Sequence, residues 1–150
     1  MAVKPVPDRY HTVTPYLTVQ GVPKLIDFVK RVFDATELER MSRPDGTIGH
    51  AEVRIGDSVI FCNDSMPEMP PMPKQARLWI YQEDVDRGFE RAKSAGLKVV
   101  MPPGDMFWGD RIAELHDRWG TQWVLAKHVK DLSPAEMKKA QDEFVAKMKK

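Results

Sequence analysis

From His11 to Val19 (HTVTPYLTV) the side chains alternate, with Val13, Pro15, Leu17 and Val19 on one side and Thr12, Thr14, Tyr16 and Thr18 on the other. A period of two is the signature of a strand, and Pro15 implies an edge or bulged position because it lacks an N–H for the ladder. The period then changes. Val22, Leu25, Ile26, Val29 and Val32 fall at i, i+3, i+4, i+7 and i+10, the apolar stripe of an amphipathic helix opened by Pro23 in its first turn. Residues 35–42 read as a strand, and Pro44-Asp45-Gly46 supplies turn chemistry. Ile48 to Ile55 alternates again, with His50, Glu52 and Arg54 opposite Ala51, Val53 and Ile55. A tight Gly56-Asp57 turn leads into residues 58–63, which predicts a hairpin. Residues 1–10 hold two prolines and no period, and are expected to form an extended lead-in.

Residues 64–76 (DSMPEMPPMPKQA) carry prolines and methionines without any period and read as a linker or lid, the linker placed at 64–75. After it the pattern starts afresh. Residues 76–81 predict a strand, Val85, Phe89, Ala92 and Ala95 a helix ended by Gly96, and Lys98 to Met101 a short strand. Pro102-Pro103-Gly104 is expected to begin a loop that runs to Gly109, with further strands at 110–115 and 122–128. Ser133-Pro134-Ala135-Glu136 has the form of a capping box with proline at N1, and opens a final helix over 133–150. The order is therefore β-α-β-β-β, linker, β-α-β-β-β, helix. Ile26 and Phe89, Val29 and Ala92, and Val32 and Ala95 are each 63 residues apart. That repeat predicts an α+β fold of two tandem βαβββ modules, residues 11–63 and 76–128, within a single domain spanning 1–150. One such module is too small to bury its helix and sheet well by itself, so the two sheets are expected to share a cup-shaped core.

Composition narrows the function. The chain has 150 residues, with 23 Lys+Arg against 22 Asp+Glu, a formal net charge of +1. Proteins that bind nucleic acid through counterion release need a basic face, so no nucleic-acid partner is expected; the lysines of the last helix read as a solvated face. The apolar runs are too short to span a bilayer, and MAVKPVPDRY has no apolar core of a signal peptide, so the expected location is cytoplasmic with no membrane partner. The single cysteine, Cys62, excludes an internal disulfide and a CxxC zinc framework, and reads as a small packed hydrophobe.

Several stretches together resemble the vicinal oxygen chelate superfamily, which includes glyoxalase I, bleomycin-resistance proteins and extradiol dioxygenases. They are TPYLTVQGVPKLIDFVKRVFDA, GHAEVRIGDSVIF, YQEDVDRGFERAKSAGLKVV, GDRIAELHDRWGTQW and the tail HVKDLSPAEM, and the PhnB-like branch is the nearest in pattern. The resemblance covers roughly residues 10–137. It implies two βαβββ modules around a cup-shaped pocket, usually in a homodimer. Where the branch commonly reads Asp-Pro-Phe-Gly-His-x-Trp, this chain has Asp117-Arg118-Trp119-Gly120-Thr121-Gln122-Trp123. The glycine and tryptophan remain, while the proline and histidine do not, which weakens any role carried over at Thr121. The superfamily's usual metal positions fall at Thr14, Phe61, Arg77 and Val124 by the same resemblance, and the 63-residue repeat relates Thr14 to Arg77 and Phe61 to Val124. None is His, Cys, Asp or Glu, so neither a metal nor another cofactor is expected at those positions.

Candidate ligand contacts follow from the strand faces. His50 and Glu52, at i and i+2, share a face and could serve as a metal pair, as a base with its acid, or as ordinary polar surface beside Arg54. Arg77, Trp79 and Tyr81 alternate with Leu78 and Ile80 and suit a planar or anionic ligand, if Leu78 and Ile80 pack on the helix. Thr14, Tyr16 and Phe61 form the matching wall of the first module. Met106, Phe107 and Trp108, followed by Asp110 and Arg111, are placed as a lid or as a dimer contact. Three functions stay open. The chain is expected to be a metal-free small-molecule binding protein; the alternatives are a superfamily enzyme of isomerase, lyase or dioxygenase type, and an interaction module whose cup is filled by its own side chains. A homodimer is expected from the apolar stripe of the last helix.

Overall fold

A computed structural model describes residues 4–68, 70 and 76–149. The elements run β1 (Tyr16–Val19), α1 (Val22–Phe33), β2 (Thr36–Ser42), β3 (Ile48–Ile55), β4 (Ser58–Asp64), β5 (Arg77–Tyr81), α2 (Val85–Ser94), β6 (Lys98–Asp105), β7 (Asp110–His116), β8 (Gln122–His128) and α3 (Pro134–Met148). The chain divides into two compact units, Met1–Ala76 and Arg77–Lys150. Each holds one four-stranded mixed sheet, ordered β1-β4-β3-β2 in the first and β5-β8-β7-β6 in the second. The outer pair is parallel in both, and the other neighbours are antiparallel. This is an α+β fold of two βαβββ modules with a C-terminal helix. Among the described residues no helix is long and apolar enough to cross a membrane.

The repeat holds residue by residue in the parallel pairs. Tyr16 pairs with Phe61 and Leu17 with Cys62 in module one, while Trp79 pairs with Val124 and Ile80 with Leu125 in module two. Each pair maps onto its counterpart by the 63-residue shift that the helix stripes predict. Helix α1 buries Val22, Leu25, Ile26, Val29 and Val32, the predicted stripe, together with Phe28. It packs on β2, β3 and β4, where Ala51, Val53, Ile60 and Cys62 are buried. Burial pushes the Cys62 thiol up to about 12, with the nearby Asp64 carboxylate adding to the effect. That is the environment of a packed hydrophobe and not of a reactive thiolate. Helix α2 buries Val85, Gly88, Phe89 and Ala92 in the same way.

The two helices begin on equivalent residues but are capped by opposite means. Gly21 precedes α1 with φ +106°, a left-handed conformation that favours glycine, and it has no side chain to cap with. The carboxylate of Asp64, at the end of β4, does the work from a distance. Its Oδ1 accepts from the N–H of Gly21 and of Val22 at 2.8 and 2.9 Å, and its Oδ2 accepts from the N–H of Ile48 at 2.8 Å. In module two the residue equivalent to Gly21 is Asp84, which accepts from the Arg87 N–H at 3.0 Å and so caps α2 itself. The position equivalent to Asp64 is Lys127. A negative charge sits at each helix start, where the orphan amides need it.

Four expectations are corrected. The first strand begins at Tyr16, not His11: the Phe61 N–H still reaches the Pro15 carbonyl at 2.9 Å, but proline has no N–H to extend the ladder. Asp64, read as the first linker residue, belongs to β4; of the remaining linker, residues 69 and 71–75 lie outside the described residues. The loop expected from Pro102 is strand: β6 continues to Asp105. It is an edge strand, and its register shifts between Val99 and Met101 and again between Met101 and Gly104, which leaves Pro102 and Pro103 between paired positions. Leu78 and Ile80 alternate as read but are only half-buried, because β5 is also an edge strand. At the C-terminus, both hydrogen bonds of the Ser133–Glu136 capping box are present.

Burial works against the charge on Asp64, yet the amides of Val22, Ile48 and Gly21 outweigh it and hold the carboxyl below its ordinary value of 3.8. Asp64→Ala strands three amides and should lower stability by about 3 kcal/mol, against about 1 kcal/mol for Asp84→Ala at an exposed cap. Urea unfolding of the two variants measures both. Because the folded pKa is depressed, the Asp64 contribution is present above the unfolded value and is lost as pH falls through the folded one. The gap between wild type and Asp64→Ala should therefore close in acid below about pH 4.

Candidate functional site

In each module one sheet face meets the helix, and the candidate residues of β1, β3, β4 and β5 lie on the other. In module one, register aligns Tyr16, Phe61, Glu52 and Glu39 across the sheet. The ring of Phe61 makes edge contacts with Tyr16 at 5.8 Å and with His50 at 5.0 Å. His50 Nε2 lies 3.0 Å from Glu52 Oε2, so the pair read from spacing alone does meet, and it meets on the face opposite α1. Glu52 is only 3% exposed.

The lead-in supplies what the sequence reading missed. Tyr10 donates its hydroxyl to both oxygens of Glu52, at 2.7 and 2.9 Å, and Arg9 Nη2 donates at 2.8 Å. The Tyr10 ring stands edge-on to Phe61 at 5.2 Å. Burial opposes the Glu52 charge, but Tyr10, His50 and Arg9 hold its carboxyl below the usual range. The bond to Glu52 in turn pushes the Tyr10 phenol up. A carboxylate so held by three donors is poorly placed as a general base, which needs a free lone pair and a pKa near the working pH. The pairing of an arginine with a tyrosine in an otherwise Pro- and Val-rich lead-in was the available signal. Thr14 stands aside, its hydroxyl 3.4 Å from the His11 carbonyl.

Module two carries the aromatic face. Ile112, Val124 and Ala126 form a buried floor, and Met101, Met106 and Trp108 pack against it. Trp79, 38% exposed, faces Trp108 with ring centroids 6.3 Å apart, and Phe107 stands edge-on to Trp108 at 5.1 Å. Beside this floor, the buried Asp110 receives the Tyr81 hydroxyl at 3.3 Å, the Trp108 indole N–H at 3.2 Å and His128 Nδ1 at 2.9 Å. His128 Nε2 reaches Asp131 at 2.7 Å. In the sequence Asp110 stands only beside the Met106–Trp108 segment and His128 only at a strand end, with nothing to join the two. Arg77 is paired with Glu114, Nε to Oε1 at 3.1 Å, so its charge is met within the sheet. Arg111 is set apart from these groups: it grips Asp86 on α2 with two bonds of 2.8 Å and Asp105 with a third of 3.1 Å. The Asp86 and Asp105 bonds raise its pKa further.

The four positions at which the resemblance expects a metal do not suit a divalent cation. Phe61 and Val124 have no donor atom, Arg77 brings a positive charge, and Thr14 offers one hydroxyl. Among the described residues no three His, Cys, Asp or Glu side chains converge in a way that would hold a metal ion. The Gly120 turn kept from the family motif is structural: Asp117 accepts from the N–H groups of Trp119 and Thr121 and from the Trp123 indole, all at 2.9 Å.

A model of the Glyoxalase/Bleomycin resistance protein/Dioxygenase superfamily matches residues 9–125. An uncharacterized protein of Mycobacterium bovis, Mb0911c, is 35% identical over 136 residues, covering 85% of this chain and 90% of its own. Among solved structures, TnmS3, an antibiotic binding protein from Streptomyces sp. CB03234, aligns with a TM-score of 0.62 at 24% identity over 85% of this chain and 98% of its own. The PhnB protein of Bacillus cereus aligns with a TM-score of 0.61 at 18% identity over 78% of this chain and 99% of its own. At these identities the structural matches speak for the fold.

Asp131 and then Asp110 raise the His128 pKa above its ordinary 6.5. The stabilisation from this pair of bonds is full below the unfolded value and is lost as pH rises through the folded one. Thermal melting should show wild type ahead of His128→Gln at about pH 6, with the gap closing by about pH 9. The gap should be small, since His128 is largely exposed.

Proposed function

Since the chain belongs to the Glyoxalase/Bleomycin resistance protein/Dioxygenase superfamily, we propose that it is a metal-free small-molecule binding protein whose ligand is planar. The observation that carries this reading is the module-two face, where Trp79 stands exposed beside Trp108 above a floor of Ile112, Val124 and Ala126. A flat apolar ligand gains from stacking on an exposed indole, and the neighbouring methionines adapt to its outline. The rim groups, Tyr81 and the Trp108 N–H on Asp110, orient it. Arg77, already matched by Glu114, favours a neutral planar ligand over an anion. TnmS3, an antibiotic binding protein, shares the fold, which supports a small molecule as the ligand. The donor chemistry at positions 14, 61, 77 and 124 supports the metal-free part. The reading extends to a cytoplasmic location and to a homodimer, the latter supported by α3, which buries no residue and exposes Phe144, Val145 and Met148.

A panel of planar aromatic compounds and antibiotics, screened by thermal melting and tryptophan fluorescence, tests this directly. A true ligand at 100 times its Kd stabilises the native state by about 2.7 kcal/mol. Trp79→Ala should weaken that ligand by about tenfold while moving the melting temperature little, since the indole is already partly in water. No shift across the panel would instead favour an interaction module. Metal analysis finding one divalent cation per chain would overturn the metal-free reading, and sedimentation showing a monomer at micromolar concentration would overturn the dimer.

A further inference from the structure

Glu52 is a buried carboxylate without a buried cation of its own sheet to answer it. Three side chains donate to it among the described residues: His50 from β3, and Arg9 and Tyr10 from the lead-in. Because an ionised carboxylate only accepts, the Nε2 proton in the His50 contact belongs to the imidazole. The two lead-in groups together amount to an aromatic cation. The Arg9 guanidinium lies 5.1 Å from the centre of the Tyr10 ring, and that ring fills the slot beside Phe61, whose other edge neighbours are Tyr16 and His50.

The lead-in itself is tied down lightly. It joins no strand before Tyr16, residues 4–9 are exposed, and Pro5 and Pro7 remove two of its N–H groups. Its further ties are surface contacts: Arg9 to Glu39 at 3.3 Å, and His11 Nε2 to the Asp57 carbonyl at 2.9 Å. Exposed pairs of this kind contribute little. What holds Arg9 and Tyr10 in place is therefore Glu52 and Phe61, and both can be satisfied equally by a ligand that presents an N–H cation on a flat body.

We infer that the face of module one opposite α1 is a binding site for an organic cation, an amidinium, guanidinium or ammonium group carried on a planar or apolar body, with Glu52 as its counter-ion and with Arg9 and Tyr10 as a built-in competitor. Displacement exchanges one set of charge-assisted hydrogen bonds for another and leaves the buried carboxylate paired throughout. Tyr16, His50 and Phe61 wall the slot that Tyr10 vacates. The competitor weakens apparent affinity by the fraction of time the slot is open, so a slot open one-tenth of the time binds about tenfold more weakly than its intrinsic affinity. This inference goes beyond the planar-ligand reading, since it concerns the other module and a different chemistry.

The test uses benzamidine, a planar amidinium, and its neutral counterpart benzamide, titrated by calorimetry into the full chain. Arg9→Ala/Tyr10→Ala should bind benzamidine at least about tenfold more tightly than wild type, should show no such gain for benzamide, and should regain melting temperature when benzamidine is added. Adding Glu52→Gln to that variant should abolish the binding. Equal benzamidine affinity in wild type and the double variant, an equal gain for both compounds, or indifference of that gain to Glu52→Gln would overturn the inference. If the double variant does not fold, Arg9→Gln alone retains the Tyr10 side chain but removes the competing charge, so the slot opens more often and benzamidine should still gain severalfold; a folded Arg9→Gln without any gain overturns it as well. Glu52→Gln should leave a planar ligand on Trp79 unaffected, and Trp79→Ala should leave benzamidine binding unaffected, so the two readings fail separately.

Discussion

A single carboxylate organises module one. Asp64 holds the amides of Gly21, Val22 and Ile48, so the start of α1, the start of β3 and the end of β4 are fixed to one another by three bonds of 2.8–2.9 Å. The Asp64 carbonyl is held as well, by Arg43 Nη2 at 3.0 Å. With the helix start anchored, the Val22–Val32 stripe can only descend on the β3 and β4 side chains that it buries. Module two shows that the requirement is for a charge at the helix start and not for a particular residue. There Asp84 caps from within, and Lys127 occupies the place of Asp64. An orphan amide is satisfied equally by a neighbour in sequence or by one across the sheet, which is why duplicated modules can drift apart in this way.

The faces opposite the helices obey a related constraint. Each carries one nearly buried acid, Glu52 in module one and Asp110 in module two. A buried carboxylate left without donors is strongly destabilising, so each must recruit them. Glu52 recruits the lead-in, through Arg9 and Tyr10. Asp110 recruits Trp108 from the β6–β7 turn, Tyr81 from β5 and His128 at the end of β8. In both modules the donors are rings as well as hydrogen-bonding groups, so satisfying the charge also lays an aromatic wall over the sheet. The same residues that stabilise the acid thereby shape a surface suited to flat ligands.

These two faces differ in what they offer chemically. Module one presents an acid inside a ring of Tyr16, His50 and Phe61, and module two presents indole surface over an apolar floor with its polar groups at the rim. Among the described residues no three His, Cys, Asp or Glu side chains converge to hold a metal ion on either face. Stacking and charge are what these two surfaces offer a small molecule.

Periodicity in the sequence determined the elements and the repeat. The helix stripes, the hairpin of β3 and β4, the Ser133 capping box and the 63-residue offset all depend on neighbours within a few residues, or on the same local pattern met twice, and all are present. The pairing of His50 with Glu52 was legible too, because i and i+2 on a strand must share a face. Only the tertiary structure decided which groups answer the buried charges. Tyr10 and Glu52 are 42 residues apart, Gly21 and Asp64 are 43, and Asp110 and Tyr81 are 29. Contacts at such separations depend on strand register and on where an unpaired segment comes to rest. Likewise, Pro102 and Pro103 read as a loop because proline breaks a ladder, and they lie in a strand because β6 is an edge whose bulges spare their missing N–H groups. Local chemistry sets the shape of each element; the desolvation of a few acids, settled only when distant segments meet, sets what their faces can bind.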